Sequence, residues 1–463
     1  MWTGRRRVNY HSDMAKESAA FFPARALALA LLAATWILAA GWAQTESSSL
    51  DLLKSSDADT RAKAARQIGK SGDRTSIPAL ASALKDPSAK VRREVVVALA
   101  GYRQPEALDA LITGTRDSDP DVRITAVQGL VGYYTGQMPS LGFTGVVKRS
   151  YRAAKSAFSS DDARVDPGVR IEPKVVSALV ADLGDTNSIR AARESAKGLG
   201  ILMAQPAAPD LVKAAHSLDA DLARESLEAL AKIKDPSSGP GIVDLLDSPH
   251  AEVRQQAAVT AGILRTRAAL PKLQAMYEKD TDKKTREVAL QGLAYLADPV
   301  SDPVFLKALW SDNKRYRALG AEGLGRAQDT EERAEIQKAL GVEKDGDAKL
   351  AMHYALANMA DDKSLDTLVH NLDSALHSDV ARVYLIELSR NPKMLPKLYP
   401  YLRSQDSTVR KELCTVLVFT GDRSSLEALE PLSHDKNNDV AVEALRAIRA
   451  IHARQESAPA SGS

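Results

Sequence analysis

Along most of this chain, small or apolar residues return three, four and seven positions after a recurring, mostly basic position. Arg92 is followed by Val95, Val96 and Leu99, and Arg317 by Gly320, Ala321 and Leu324. That spacing marks one face of an amphipathic helix. The reference position recurs at Arg61, Arg92, Arg123, Ala192, Ala223, Arg254, Arg286, Arg317, Lys349, Ala381, Arg410 and Ala441, mostly at intervals near 31 residues. A second register keeps step with the first. Pro78, Pro209, Pro240, Pro303 and Pro396 each stand 14 residues before a reference position, followed by apolar residues such as Leu211, Ile242 and Leu398. Proline suits the first turn of a helix, where the amide it lacks has no intrahelical partner. Each unit therefore predicts a hairpin of two helices, and alternating β-branched runs are absent. One hairpin cannot bury both faces, so about twelve must stack into a continuous core. The expected fold is all-α, a right-handed α-solenoid of two-helix repeats.

The loops inside the hairpins carry aspartate six residues before the reference position, at Asp86, Asp117, Asp280 and Asp435. Two roles fit: caps for the second helix, or partners for an arginine of the same or the adjacent repeat. A ladder of this kind, with Arg92, Arg123, Arg254, Arg286, Arg317 and Arg410, is expected at every hairpin, because every helix end needs its free amides satisfied. The competing reading is a row of anion-binding arginines along one face. At Ala192, Ala223 and Ala381 the arginine stands one place later, as Arg193, Arg224 and Arg382. One position rotates a helical side chain by about 100°, so these three are expected to leave the ladder.

The Val-Arg openings (Val91-Arg92, Val122-Arg123, Val253-Arg254, Val409-Arg410), the early prolines and the block Ala64-Ala65-Arg66-Gln67-Ile68-Gly69-Lys70-Ser71-Gly72-Asp73 carry a family signal. Together they resemble HEAT repeats, of the short variety seen in phycobilin-lyase-type proteins. The period is shorter than the roughly 40 residues of longer HEAT and armadillo units. The resemblance implies a stacked-helix scaffold and leaves function open. It also implies two enzymatic alternatives, a phycobilin-lyase-like activity and a deoxyhypusine-hydroxylase-like activity. The second needs paired His-Glu motifs for a di-iron centre, and the chain has no His-Glu dipeptide.

The repeat misses one beat, between Arg123 and Ala192. Residues 50–134 and 173–453 read as repeats, and 135–172 as an insertion. Thr135 to Gly142 is rich in turn formers. Val146 to Phe158 reads as a helix with Lys148, Arg149, Arg152 and Lys155 and no acidic residue. Five aromatics gather around it: Tyr133, Tyr134, Phe143, Tyr151 and Phe158. Insertions in repeat arrays map to loops on one face, often the binding face. Aromatic and arginine side chains are enriched at interface hot spots. These nine residues are the candidate partner-binding set. The alternative is that the aromatics pin the insertion to the array and fill a break in stacking. A lesser aromatic group is Tyr384, Tyr399 and Tyr401.

The first 43 residues stand outside the pattern. Ala26 to Ala43 is an uncharged, mostly apolar run, preceded by Lys16 and Arg25 and ending in small residues. That is the layout of a secretory signal peptide, with Met14 the more natural start, cleavage after Ala43 and a short linker at 44–49. An uncleaved membrane anchor is the alternative, since the run could just span a bilayer. The leader holds five of the 62 basic and two of the 60 acidic side chains. The remainder is close to neutral, which argues against nucleic acid or anionic membrane as a partner. The one cysteine, Cys414, excludes an internal disulfide and reads as a buried inert thiol. His216, His250, His353, His370, His377, His434 and His452 lack metal-ligand spacing, and no phosphate loop or nucleophile elbow is present. No catalysis, cofactor or metal is expected. Residues 454–463 are expected to be a disordered tail.

The functional expectation is an exported, monomeric scaffold that binds another protein or an envelope component. A structural spacer of the envelope is a further possibility. Cleavage predicts that protein recovered from its native host begins at Gln44, which intact-mass and N-terminal sequencing would check. A mature chain that retains Ala26–Ala43 would make the leader an anchor instead.

Overall fold

The computed structural model describes residues 49–136 and 164–457, apart from 186 and 329. The leader, the stretch from Phe143 to Phe158 and the last six residues lie outside the described residues. The chain divides into two compact units, Met1–Ala98 and Leu99–Ser463. Each is built from helical hairpins, and no strand occurs among the described residues.

The second helix of each hairpin is the regular one. Twelve such helices run from Ala58–Ser71 to Asn438–Ser457 among the described residues. The first element of each hairpin is shorter and often partly 3-10, as at Pro240–Ile242, Leu395–Arg403 and Glu430–His434. Prolines sit in the opening turns of Ile77–Ala83, Ala208–Ala215, Leu270–Lys279 and Asp302–Leu309. The last helix continues to Ser457, four residues into the segment expected to be a tail. Arg454 anchors that end by donating to the carbonyls of Val418 and Gly421 at 2.6 Å each.

Two carboxylate positions divide the capping and pairing work. Four residues before the reference position, Asp57, Asp119, Asp219, Asp282, Asp345 and Asp406 cap the second helices through their side chains. Six before it, a carboxylate accepts from the preceding repeat's arginine. Arg61 meets Asp86 through two donors at 2.6 and 2.9 Å. Arg317 meets Glu343 at 2.6 and 2.9 Å, and Arg410 meets Asp435 at 2.8 and 3.0 Å. Each of these arginines also turns Nη1 back onto its own loop. Arg61 donates to the carbonyls of Ser55 and Ser56, Arg317 to Ser311 and Asp312, and Arg410 to Ser404 and Gln405. One guanidinium thus ties its own hairpin loop to the loop of the next hairpin. Arg92, Arg254 and Arg286 make the same loop contact, on the carbonyls of Asp86, Ser248 and Asp280. Arg254 lies 4.0 Å from Asp280.

Two of the displaced arginines leave the ladder position but still reach the next repeat, on other carboxylates. Arg193 reaches the helix cap Asp219 of the next repeat, and Arg382 pairs with Glu412. A long flexible stem compensates for the rotated start. Arg224 stays on its own helix, against Glu225.

Small residues let consecutive second helices approach closely. A Cβ added at Gly262 would lie 2.3 Å from the Gly292 carbonyl oxygen, and one at Gly325 would lie 2.6 Å from the Ala355 Cα. Both obstacles are backbone, so the helices themselves would have to separate.

Two predictions follow from these contacts. Gly262→Ala gains helix propensity worth about 1 kcal/mol yet should lower the thermal midpoint, because overpacking costs about 1–3 kcal/mol. Gly341→Ala meets nothing within 4 Å and should leave the midpoint unchanged or raise it. Equal effects at the two sites would remove close approach as the cause. The second prediction concerns acid. The Arg317 guanidinium and the amides of Lys344 and Asp345 hold the Glu343 carboxyl at about 2, against an ordinary 4.5. A depressed carboxylate contributes stability above its unfolded value and loses it as pH falls through the folded value. Glu343→Gln should therefore lower stability at pH 7 by about 2–3 kcal/mol and flatten the loss between about pH 4.5 and 2. Thermal melts across that range test it, and an unchanged slope would exclude the pair as a contributor.

Candidate functional site

The interrupted beat is bridged by the same guanidinium clamp. Arg123 reaches past the insertion to Asp182, 2.9 Å from Nε, and to Asp185, 2.8 Å from Nη2. Helix Pro120–Thr135 packs directly on Ile189–Ile201, where a Cβ on Gly198 would touch Val131 and Val127. The two helices therefore stack directly across the insertion. Of the nine candidate partner-binding residues, Tyr133 and Tyr134 are described. Their rings meet edge to face at 4.9 Å. The Tyr134 hydroxyl accepts from the Glu172 amide at 3.1 Å, fixing the point where the chain re-enters the array. Burial pushes this phenol above its ordinary value. Phe143, Lys148, Arg149, Tyr151, Arg152, Lys155 and Phe158 lie outside the described residues.

The returning chain, residues 164–172, has no helix of its own and joins distant parts of the larger unit. The Val165 amide donates to the Ile201 carbonyl at 2.9 Å. Asp166 receives Arg446 of the last helix, with Nε 3.0 Å from one carboxylate oxygen. Gly168 adopts φ +90°, and a Cβ there would sit 2.2 Å from that of Ala453. Only glycine allows both that conformation and that approach. Asp166 of this strap and Arg446 of the last helix are 280 residues apart along the chain.

Behind the strap, helix ends converge. Arg326 donates to Glu387 at 2.7 and 3.0 Å and to Glu322 at 3.0 Å. Its guanidinium lies 4.6 Å from the Tyr295 ring centre. Tyr384, grouped by sequence with Tyr399 and Tyr401, is buried. It stacks on Tyr354 at 4.6 Å and donates to Glu322 at 2.8 Å. Tyr399 lies apart from it, 2.9 Å from the hydroxyls of Ser424 and Ser425. The Arg326–Glu387 pair ties helix Lys314–Ala327 to Ser378–Leu388, skipping the helix between them.

A cavity of about 590 Å³ opens between the strap and these ends. Its wall is apolar at Val169, Ile171, Met203 and Phe419, and carries the cations Arg164, Lys234 and Arg390. A second hollow of about 630 Å³ shares Arg390 and Phe419 and reaches Arg423 and Arg454. Burial pushes the Lys234 ammonium down to about 6, and the neighbouring charges of Arg390 and Arg164 push the same way. Lys234 and Met203 hold φ 59° and 54°, left-handed values at the ends of their helices. Sequence reasoning did not find this cavity. Its one trace is lysine eleven residues after the reference position, where Gly72 supplies the left-handed cap in the first unit.

Elsewhere, chemistry-bearing groups have structural surroundings. Burial raises the Cys414 thiol to about 12. His216, His370 and His377 each face one aspartate, and His353 faces the Ser364 hydroxyl. Among the described residues no cluster of His, Cys, Asp or Glu could hold a metal ion, and no helix is long and apolar enough to cross a membrane.

Comparison with known proteins bears on this architecture. The sequence profile of HEAT repeats matches residues 48–131 and 208–294. No curated protein matches the chain. Among solved structures, an engineered protein is 18% identical over 88% of this chain and 98% of its own, with TM-score 0.37. The karyopherin Kap121p, bound to the extreme C-terminus of the protein phosphatase Cdc14p, is 15% identical over 89% of this chain and 49% of its own, with TM-score 0.39. The complex of CpcE and CpcF of phycocyanin lyase from Nostoc sp. PCC7120 is 18% identical over 60% of this chain and 93% of the other, with TM-score 0.29. The chain thus carries HEAT repeats at residues 48–131 and 208–294, and the same two-helix hairpin continues between and beyond them.

Proposed function

We propose that this chain is an exported scaffold that binds another protein or an envelope component, has no catalysis of its own, and uses the insertion as its specificity element. The observation that carries this reading is the clamp from Arg123 to Asp182 and Asp185. The hairpins on either side of the insertion stack directly on each other, with no hairpin in the gap between them. Insertions are where repeat arrays commonly place binding determinants. The insertion's residues combine aromatic rings with lysine and arginine, the composition of interface anchors. A leader of secretory type places the partner outside the cytoplasm in this reading.

The strap sets where a test deletion must stop. Replacing residues 137–163 with a short Gly/Ser linker leaves Tyr134, Arg164 and Asp166 in place. This variant should keep its helical content and thermal midpoint and lose capture of the partner from an envelope extract of the native host. Undiminished capture by the folded variant would remove the insertion from the binding function.

A further inference from the structure

We infer that this chain pairs with a second copy of itself along the edge formed by its hairpin loops, the exposed Leu218 of each copy seating in a hollow beside Trp310 of the other. The scaffold reading requires no such pairing, so this inference goes beyond it and rests on different residues.

Three observations carry it. The first is a knob and a hollow of matching character. Leu218 stands in the loop between the two helices of its hairpin and is 98% exposed. Three hairpins further on, Trp310 and Val342 are 45% and 67% exposed. They rim a hollow of about 160 Å³ whose other apolar walls are Leu309, Ala339 and Met352. Trp310 is the one tryptophan among the described residues, and tryptophan beside an apolar pocket is characteristic of interface hot spots. A lone exposed leucine needs no explanation; one that shares an edge with a hollow able to receive it has a use.

The second observation is that shared edge. From the hairpin of Leu218 to that of Val342, each loop region touches the next. His216 lies 3.1 Å from Asp244, Gln255 donates to Asp282 at 3.2 Å, the Tyr277 and Tyr316 rings are 6.0 Å apart, and Arg317 reaches Glu343. In a two-fold pair, residue i of one copy meets residue j of the other and the reverse. One antiparallel arrangement of two such edges therefore seats both leucines at once, with its axis between the hairpins of Arg254 and Arg286.

The third observation is charge, and it selects a second copy over an unrelated partner. Residues 216–221 and 247–252 each hold two carboxylates and no lysine or arginine. Residues 279–284 and 310–315 each hold one more cation than carboxylate. The sign thus reverses at the axis that the knob and hollow define. Antiparallel edges bring the first loop against the fourth and the second against the third, opposite signs in both cases. Parallel edges, each loop against its own copy, would oppose like signs. Arg193, His216 and Lys272 face the acidic half from within the same copy, so charge orients the pair while the apolar seats supply the affinity.

Sedimentation velocity of the mature chain from about 1 to 100 µM should show a reversible monomer–dimer step, with a midpoint on the order of 10 µM and nothing larger than a dimer. Leu218→Asp and Trp310→Ala each remove both seats and should weaken dimerisation at least about a hundredfold. Mixed in equal amounts, the two variants keep one intact seat and should recover dimer that neither forms alone. The emission component removed by Trp310→Phe should move to shorter wavelength as the parent dimerises. Leu218→Asp should leave the thermal midpoint at 1 µM unchanged, which separates loss of pairing from loss of fold. A chain monomeric at 100 µM, assembly beyond the dimer, a dimer untouched by both substitutions, or no recovery on mixing would each overturn the inference. The variant lacking residues 137–163 should dimerise like the parent, so either proposal can fail without the other.

Discussion

The guanidinium clamp is the interaction on which the rest of this structure depends. At Arg61, Arg317 and Arg410, each at the start of a second helix, the donors are arranged in a fixed fork. One arm closes its own loop by meeting two carbonyls, and the other engages a carboxylate of the next repeat. Lysine would supply the charge without that geometry. The carboxylate is oriented in turn by backbone amides, as Glu343 is by Lys344 and Asp345. The pair is therefore nearly removed from water with its hydrogen bonds satisfied, which is the condition under which a buried ion pair repays its desolvation. Stacked hairpins that shared only apolar faces could slide or rotate. Where it forms, the bidentate bond fixes the register of one repeat on the next.

Close helix approach accompanies the closed loops. Gly262 fits closely against Gly292, on helices whose loops Arg254 and Arg286 each close. The apolar core then fills around the glycines and alanines. Clamps, caps and small residues each act between adjacent repeats, so stability is distributed along the array in nearest-neighbour steps. The strap is different in kind. Its Asp166–Arg446 and Gly168–Ala453 contacts join repeats far apart in sequence, and they enclose a space that no single interface of the array would create. A HEAT array is a scaffold on which function is grafted. In this molecule grafted function is proposed at the insertion and along the loop edge of the hairpins.

The hairpin, its period, its prolines and the identity of the clamping arginines were legible from the sequence because they are local and repeated. A helix face needs apolar residues at fixed spacing, and twelve copies average away the exceptions. Other features were not legible. Arg193 and Arg382 join neighbouring repeats despite their displaced positions, because side-chain reach is a property of space and not of spacing. Tyr384 falls near Tyr399 and Tyr401 in the sequence, yet it is buried against Tyr354 and Glu322, two residues that belong to other hairpins.

What the sequence determined by itself was thus the repeating unit, since the forces that shape a hairpin act within a few tens of residues. Only the tertiary structure decided that two helices stack directly across the insertion and that the strap meets the last helix. It alone brought Arg164, Lys234, Arg390 and Phe419 to one cavity. The physical reason is accumulation. The offset between neighbouring repeats is small and is written in no one motif, but summed over the array it decides which distant residues meet.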